Sequence, residues 1–370
     1  KCGWSSDVCS SDLGGGFGLK CTPFNEDALV LWASRRIGRP VKWVGTRSES
    51  LVGDNHARDQ VVEGELALDE QGRILAIRAR SLQALGAYTF ASMTAPMMFA
   101  LRYIPNVYAV QAVDLQTQAV FTHTSPTSVY RGAGRPESVY LIERLLDQAA
   151  QTLGMDATEI RRRNFIVPSA MPYRTPTGSL YDSGEFGAAM EQAIAFSDAP
   201  GYASRCEDTR ARGRVRGRGL ASYIEHAGVT NDRMELRFDP SGAISIVSGM
   251  HSHGQGHATV FVQLVADLLG LPFESIRFVQ GDTDQVPFGR GTYAARSSLL
   301  GGCALKVAAD GIIAKARPMA ARLLEAAEGD IEFRAGSFRV TGTDRSVGLA
   351  SVAREFYKPL GLGGFSVGLE

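Results

Sequence analysis

The sequence predicts an α+β fold of two mixed α/β domains with long ligand-binding loops. Three features predict it: short alternating apolar segments typical of strands, longer segments with apolar residues at helical spacing, and glycine-rich loops between them. Glycine makes up 41 of the 370 residues, against a usual share of about 7%. Because the excess falls in loops, we expect the backbone to approach a ligand closely there.

The first half of the chain alternates helices and strands. Apolar residues at helical spacing predict a helix over residues 26–37, ended by the glycine and proline that follow. Segments rich in β-branched residues predict strands over residues 41–44, Gln60–Leu68, 74–85 and 107–121, the last being one long strand or a bent pair. Another helix is predicted over residues 139–153, and Asp156 with Glu159 resembles a capping box that opens a further one.

The second half has a similar pattern without a sequence repeat. Residues 166–185 are rich in proline, glycine and hydroxyl side chains, so we place a boundary there between domains 14–170 and 171–370. Strands are predicted over residues 243–248 and 274–280, and helices over residues 258–269 and 299–327.

Residues 1–13 are set apart from this organisation. Their run WSSDVCSSDL resembles the translation of a sequencing-library adapter, and it has neither apolar periodicity nor the pattern of a signal peptide. The alternative is a short natural disordered tail. We therefore expect the folded chain to begin at Gly14.

Composition disfavours several classes of function. Thirty-nine basic and 39 acidic residues cancel, which removes the long-range attraction that nucleic-acid and anionic-membrane binders use. No uninterrupted apolar run approaches the roughly 18 residues of a membrane span. Beyond residue 13, Cys21, Cys206 and Cys303 form no CxxC pair, so we expect reduced thiols of a cytoplasmic protein and no iron–sulfur cluster or zinc site.

The loop HSHGQGH, residues 251–257, is the most informative motif. A strand leads in and a helix leads out, so backbone N–H groups and the helix dipole favour a bound anion, to which Gln255 can also donate. A metal site is a competing interpretation, since His253 and His257 are four residues apart. Gly254 and Gly256 make a regular helix there improbable. Structural histidines with satisfied hydrogen bonds are the third interpretation.

Three further glycine loops are candidates for binding. In YRGAGRPE, Arg131 and Arg135 each have the planar fork that binds an anion, although either could instead pair with Glu137 or Glu143. GGGFG, residues 14–18, predicts a close-approach turn, and GRGTYAARSS, residues 289–298, offers hydroxyls and backbone donors before a helix. None of them follows a Walker or GxGxxG pattern. The arginine clusters at 161–163 and 210–218 are interpreted as solvated faces or subunit contacts.

Taken in order, GGGFG, YRGAGRPE, HGQGH and GDTDQVPFGRGTYAARS resemble the molybdenum hydroxylase family. From Gly14 to about Pro318 the chain is similar to the molybdopterin-binding large subunit of xanthine dehydrogenase, aldehyde oxidase and aerobic carbon monoxide dehydrogenase-type enzymes. The resemblance implies two mixed α/β molybdopterin-binding domains, both incomplete here, with long cofactor-binding loops. It also implies a Mo-molybdopterin cofactor, in bacteria usually molybdopterin cytosine dinucleotide. The implied partners are an FAD-binding medium subunit and a 2Fe-2S small subunit, assembled as a dimer of heterotrimers.

Site residues carry over from the resemblance motif by motif. Phe17 and Arg131 would lie beside the metal end of the cofactor, with Gly16 and Gly18 in the same turn as Phe17. Gln255 and Gly256 would contact the pterin and its phosphates, and Thr292, Ala294 and Ser297 would line the same tunnel. No side chain of the protein would ligate the metal, because the pterin dithiolene holds it.

The family chemistry is hydroxylation with water as the oxygen source, assisted by a glutamate base in a GVGE-type motif. That motif is absent, so we expect an internal fragment without the catalytic glutamate. Gly132 stands where carbon monoxide dehydrogenases carry a copper-binding cysteine, and Ala133 where xanthine-type enzymes carry an aromatic residue. The expected substrate is therefore an aldehyde or an N-heterocycle. The alternatives are a carbon monoxide dehydrogenase-like subunit of unknown substrate and a non-redox phosphate- or nucleotide-binding module.

Overall fold

The computed structural model describes residues 15–21, 23–89, 93–228, 230–282, 284–358 and 368–369. The chain divides into two compact units. The first unit comprises Phe17–Ser34 and Val41–Glu225, and the second comprises Lys1–Gly16, Arg35–Pro40 and His226–Glu370. The predicted α+β class is confirmed, because each unit combines helices with small sheets.

The first unit is built on a three-stranded sheet in the order β1-β2-β3. Strands β1 (Gln60–Leu68) and β2 (Ile74–Gly86) pair antiparallel, and β3 (Ala112–Phe121) joins β2 in parallel. A two-stranded ribbon is formed by β4 (Tyr173–Arg174) and β5 (Leu180–Tyr181). The helices are α1 (Asn25–Ile37, which ends in residues of the second unit), α2 (Arg47–Gly53), α3 (Ala95–Tyr103), α4 (Arg135–Leu153), α5 (Ala157–Asn164), α6 (Phe186–Phe196) and α7 (Tyr202–Ala211).

Helix α4 covers this sheet because its apolar residues recur at helical spacing. Ile142, Leu146 and Ala150, each four residues after the last, are buried with Ile74 and Ile77 of β2. The exposure of β1 alternates residue by residue, as expected of a strand with one face on the core. The sequence pattern therefore determines which face of each element enters the core of this unit.

Several predicted elements need correction. Residues 41–44 form no strand, and Trp43 and Val44 are exposed. The predicted strand over residues 107–121 begins only at β3, because the main chain near Tyr108 hydrogen-bonds to residues 164–166 instead of to the sheet. Helix α3 was not predicted. The Asp156 side chain does cap α5. The Glu159 carboxylate pairs with two arginines of that helix, so it does not complete a capping box with Asp156.

The second unit contains two three-stranded sheets. In one, β6 (Met234–Phe238) pairs antiparallel with β7 (Ile244–Ser248), and β8 (Ile276–Gln280) joins β7 in parallel. In the other, β9 (Ile331–Arg334), β10 (Ser337–Val340) and β11 (Ser346–Gly348) are antiparallel. The helices are α8 (His257–Leu269), α9 (Gly302–Leu323) and α10 (Leu349–Glu355). The strands and helices predicted for this half are confirmed within a few residues at their ends.

A π-helical turn, Ser297–Gly301, leads directly into α9. Together they form one helix, Ser297–Leu323, that is long and apolar enough to cross a membrane by length and composition, since an 18-residue stretch of it has a mean hydropathy of 1.3. A core helix passes the same test. Leu305, Ile312 and Ala316 are buried in the core of the second unit, with the apolar face of α8. We therefore interpret it as a core helix.

The two units share one order of elements. Each has an antiparallel strand pair, a helix, a strand parallel to the second of the pair, a long loop and a long helix. The loop after β3 contains Arg131, and the equivalent loop after β8 contains Thr292 and Ala294. The same topology therefore presents a candidate binding loop at the same place in each unit.

Candidate functional site

Phe17 and Arg131, 114 positions apart in the sequence, lie side by side in the first unit. The Arg131 amide donates a 3.0 Å hydrogen bond to the Phe17 carbonyl. The guanidinium carbon of Arg131 lies 4.6 Å from the centroid of the Phe17 ring, within the range of a cation–π contact. Phe17 is 54% exposed, and Arg131 is exposed as well. Both groups can therefore be reached by a ligand.

Gly18 permits this contact by letting two loops approach closely. Its φ is +93°, and a Cβ atom there would lie 3.1 Å from both the Val129 carbonyl oxygen and the Tyr130 Cα. These are backbone atoms, which cannot move aside as a flexible side chain can. Phe17 and Gly18 of GGGFG therefore lie directly against Arg131 and Tyr130 of YRGAG.

The two arginines of YRGAGRPE have different environments. The Arg131 guanidinium makes no hydrogen bond or ion pair with the described residues. Arg135 is buried, ion-paired with Glu225 at 3.1 Å and stacked 4.6 Å from the Phe99 ring centroid. The alternative of a structural ion pair thus holds for Arg135, but its partner is Glu225 and neither of the glutamates suggested by the sequence. Arg131 is left with the donors that an anion would need.

The prediction that residues 161–163 form a solvated arginine cluster is wrong for Arg161. Its side chain is wholly buried, with Nε 2.8 Å from the Glu143 carboxylate and Nη2 2.9 Å from that of Asp147. The Tyr108 hydroxyl donates to Glu143 at 2.6 Å, and burial, together with the Glu143 charge, raises the pKa of Tyr108. Arg162 is a surface residue as expected. Arg161 thus belongs to the interior of the first unit.

The loop that precedes α8 is held by hydrogen bonds between its own residues. Gln255 accepts a 2.5 Å hydrogen bond from the His253 amide, and its side-chain nitrogen donates to His257 Nε2 at 3.2 Å. Gly16, which is assigned to the second unit, lies against His253, since a Cβ on Gly16 would be 3.4 Å from Nδ1 of that ring. A Cβ on Gly254 or Gly256 would meet nothing within 4 Å. Their backbone therefore faces open space at the N-terminus of α8.

His257 is neutral under physiological conditions. The side chain is 4% exposed, and its Nδ1 has no hydrogen-bond partner among the described residues. Burial, with smaller contributions from His253 and His251, lowers its pKa to about 4. Within the described ranges no group of three or more His, Cys, Asp or Glu residues could hold a metal ion. This arrangement favours the anion-loop interpretation over the metal site.

The loop between β8 and α9 holds the remaining predicted residues. The hydroxyl groups of Thr292 and Ser297 lie 3.4 Å apart. Ala294 has φ +49° and Ala295 φ +52°, a left-handed conformation that costs non-glycine residues of order 1 kcal/mol each. The Ala294 carbonyl accepts a 3.1 Å hydrogen bond from the Gly228 amide. The loop therefore takes a defined, strained shape.

Arg296, which was not among the residues predicted from the sequence, stabilises that loop. Its side chain is fully buried and donates to the Asp232 carboxylate at 2.6 Å, the Gly291 carbonyl at 2.7 Å and the Asn231 carbonyl at 2.6 Å. Charge-assisted bonds of this kind, shielded from water, hold both ends of the turn that contains Thr292. The only signal in the sequence is an arginine among small residues before a helix.

Two stretches of the chain match models of known domains. Residues 7–165 and 192–368 each match a molybdopterin cofactor-binding domain. The boundary predicted at residue 170 lies between these stretches, whereas the compact units divide after Glu225, so that boundary stays a prediction.

Individual relatives give the same result. The chain is 35% identical over 355 residues to the gamma subunit of the 6-hydroxypseudooxynicotine dehydrogenase complex of Paenarthrobacter nicotinovorans, covering 92% of this chain and 44% of the relative. It is 35% identical over 376 residues to the carbon monoxide dehydrogenase large chain of Hydrogenophaga pseudoflava, covering 96% and 47%. Quinoline 2-oxidoreductase from Pseudomonas putida 86 superimposes with a TM-score of 0.86 at 32% identity, again covering 96% and 47%.

The chain thus spans less than half the length of these relatives. Within that span, two matched domains account for most of its residues, and the ordered glycine-loop motifs lie in or beside them. The chain belongs to the molybdenum hydroxylase family and corresponds to part of its molybdopterin-binding large subunit.

Proposed function

We propose that this chain is the cofactor-binding part of a molybdenum hydroxylase that oxidises an N-heterocycle or an aldehyde with water as the oxygen source. The observation that carries the proposal is the Phe17–Arg131 pair. An exposed guanidinium with no carboxylate partner among the described residues lies on an exposed aromatic ring, inside a matched molybdopterin-binding domain. A guanidinium in that state has the donors and the charge that an anionic cofactor requires.

Each unit, taken by itself, has donors of the kind that such a cofactor requires. The cofactor combines a pterin ring with phosphates, and these groups call for N–H and O–H donors and positive charge. The first unit offers Arg131. The second offers the open backbone at Gly254 and Gly256, beside the positive end of the α8 dipole, and the hydroxyls of Thr292 and Ser297. No metal ligand is needed from the protein, because the pterin dithiolene would hold the metal.

When bound, the cofactor would supply the redox centre that takes two electrons from the substrate and transfers a water-derived oxygen to it. The chain's own residues would bind and orient. Arg131 would fix the metal end through its guanidinium, and Phe17 would cover one side of that group. Gln255 and Gly256 would contact the pterin and phosphates, with Thr292, Ala294 and Ser297 lining the same channel. No residue of this chain is assigned as the proton acceptor.

The backbone at Gly132 argues against carbon monoxide as the substrate. Its φ is +88°, and a Cβ atom there would lie 2.7 Å from Cδ of Pro136. A cysteine, which the resemblance implies for carbon monoxide dehydrogenases at this position, would be strained in this conformation. A relative named for carbon monoxide is as similar as one named for a nicotine derivative, so this local geometry carries the distinction.

N-heterocycles are favoured over aldehydes by the names of the relatives. Relatives of this chain include nicotine 6-hydroxylase and quinoline 2-oxidoreductase, at 33% and 32% identity. The aldehyde oxidoreductases among the structural neighbours are 22–23% identical, which supports a shared fold alone. We therefore place a nitrogen heterocycle first and an aldehyde second.

The proposed holoenzyme contains further components. We infer a cytosine dinucleotide form of the cofactor, an FAD-binding medium subunit, a 2Fe-2S small subunit, assembly as a dimer of heterotrimers and a cytoplasmic location. The relatives are named as a gamma subunit and large chains or subunits, which supports the partner subunits. We propose that electrons leave through the 2Fe-2S cluster of the small subunit.

The test uses the full-length complex purified with its partners. Metal analysis, pterin fluorescence and nucleotide release after acid treatment should give stoichiometric molybdenum, pterin and CMP. Turnover assays with quinoline, benzaldehyde and carbon monoxide, run in oxygen-18 water, should label the hydroxylated heterocycle. A complex without molybdenum would overturn the proposal. Labelled product from benzaldehyde alone would favour the aldehyde alternative, and oxidation of carbon monoxide would overturn the substrate assignment.

A further inference from the structure

The segment around His56 lies beside the loop that carries Arg131. The His56 amide donates to the Pro126 carbonyl at 2.9 Å, and the Ser128 amide donates to the His56 carbonyl at 2.8 Å. These two bonds form a parallel bridge between His56 and Thr127. Because Arg58 follows two residues later, its side chain is delivered to the start of YRGAG.

Arg58 makes three contacts there. Its Nη2 donates a 2.6 Å hydrogen bond to the Arg131 carbonyl. Its guanidinium carbon lies 5.2 Å from the centroid of the Tyr130 ring. Its Nε lies 4.0 Å from Oε2 of Glu137, at the first turn of α4. One side chain thus joins the loop, its aromatic residue and the helix that follows.

Two features at Arg58 are energetically unfavourable: its backbone conformation and the buried carboxyl group beside it. The φ of Arg58 is +65°, a left-handed conformation that is strained for a non-glycine residue. The Glu137 side chain is 9% exposed, and its Oε2 accepts no hydrogen bond from the described residues. Burial raises the pKa of Glu137, and the charge of Arg58 counteracts that effect. The arrangement keeps a strained cation beside a buried carboxyl group.

We propose that Arg58 is a positioning residue of the cofactor site, a role that rests on the proposed function. The two peptide groups that flank the Arg131 Cα are both held, since the Arg131 amide donates to the Phe17 carbonyl and the Arg131 carbonyl accepts from Arg58. With the backbone fixed at both ends, the Arg131 guanidinium has a restricted set of directions and stays over the Phe17 ring. Arg58 therefore acts through Arg131 and does not itself touch the cofactor.

The experiment compares Arg58→Met and Arg58→Lys with a matched control in the full-length complex. The control is Arg78→Met, because Arg78 is a 55% exposed arginine of the same unit whose partners are Glu65 and Asp114 on the sheet surface. The first readout is hydrogen exchange at the Arg131 amide, measured in the protein without cofactor. The second is molybdenum content together with the electron paramagnetic resonance spectrum of the partly reduced holoenzyme.

For Arg58→Met we expect Arg131 amide exchange to accelerate about tenfold or more, with the control unchanged. Molybdenum content or kcat/KM should fall by about tenfold or more, and the resonance spectrum should change in the same direction as in Arg131→Lys. Arg58→Lys should recover part of the exchange protection, because lysine can donate to the Arg131 carbonyl but cannot stack on Tyr130 as a planar group. The melting temperature should fall further than in the control, because Arg58→Met also removes the cation beside the buried Glu137, so the exchange, molybdenum and spectral readouts test the positioning role.

Each opposing result has its own meaning. Unchanged exchange at the Arg131 amide in Arg58→Met would overturn the proposal, whatever the metal content. Faster exchange with normal molybdenum, spectrum and kcat/KM would also overturn it, by showing that Arg58 only stabilises the loop. A wild-type complex without molybdenum would overturn the proposed function itself. The molybdenum content of the wild type therefore distinguishes that failure from the other two, which are seen only in the variants.

Discussion

The carbonyl of Phe17 accepts the Arg131 amide at 3.0 Å, while the Phe17 ring lies 4.6 Å beneath the Arg131 guanidinium carbon. One pair of residues is therefore joined through both main chain and side chain, although GGGFG and YRGAG are far apart in sequence. Gly18 makes the approach possible, and Arg58 donates to the Arg131 carbonyl, on the other side of the Arg131 Cα. The first unit thus presents a cation on an aromatic surface in a fixed direction.

The first prediction concerns Arg131→Lys in the full-length complex. Lysine keeps the charge but loses the planar fork, so it should not restore a bidentate contact with the cofactor. Loss of one charge-assisted hydrogen bond costs about 1.5–3 kcal/mol, which lowers molybdenum content or turnover by roughly one to two powers of ten. The melting temperature should barely change, because the guanidinium has no ion-pair partner among the described residues. A destabilised variant with normal turnover per molybdenum atom would contradict the cofactor role.

The second prediction concerns Gly18→Ala. The variant should lose about 1 kcal/mol from the left-handed backbone and more from the 3.1 Å approach of Cβ to Val129 and Tyr130. The matched control is Gly38→Ala, since Gly38 has φ +66° but open space where its Cβ would lie. Urea denaturation should show a larger loss of unfolding free energy for Gly18→Ala. Equal losses would mean that the two loops do not approach as closely as described.

The third prediction is a pH effect from His257. The folded protein disfavours the charged imidazole, whose pKa is about 4 against about 6.5 in an unfolded chain. The unfolded state therefore binds more protons between these values, and stability falls as pH decreases from about 6.5 to 4. Each pKa unit corresponds to about 1.4 kcal/mol, so the loss approaches about 3 kcal/mol.

Replacing the imidazole tests this directly. His257→Leu should remove that part of the pH dependence, and near neutral pH it should lose only the 3.2 Å hydrogen bond between Gln255 and Nε2, because the buried Nδ1 has no partner among the described residues. Unfolding free energies from urea titrations at several pH values measure the difference. His123→Leu, at an exposed histidine, is the control. A His257→Leu profile parallel to that of the wild type would show that His257 is not buried in a neutral state.

The fourth prediction concerns the buried Arg161. Arg161→Met leaves the Glu143 carboxylate buried without its cation, which costs about 3–5 kcal/mol. Arg162→Met, at a neighbouring surface ion pair, should cost about 1 kcal/mol or less. Chemical denaturation of both variants checks this. If the two arginines cost the same, the original surface interpretation of residues 161–163 would regain support.

Local sequence patterns were sufficient for much of the fold. Strand β1 was predicted to the residue, β2, β7 and α8 to within one residue, and α4 correctly except for its first four residues, because alternation and helical spacing describe which face of a single element is buried. The strand predicted over residues 41–44 does not form, since β-branched residues favour a strand only where a partner strand exists. The N-terminal part of 107–121 failed for a related reason: its backbone groups found partners at residues 164–166 and not along β2.

Sequence alone determined the glycine loops and their order, and that order carries the resemblance to the molybdenum hydroxylase family. Tertiary structure decided which arginine of YRGAGRPE stays available: Arg135 is enclosed by Glu225 and Phe99, whereas Arg131 faces Phe17. It also decided that Arg161 is interior and that Arg58 and Arg296 brace the loops. An arginine looks the same in every sequence pattern, and only contacts with residues distant in the chain determine whether its charge is paired, buried or free to bind.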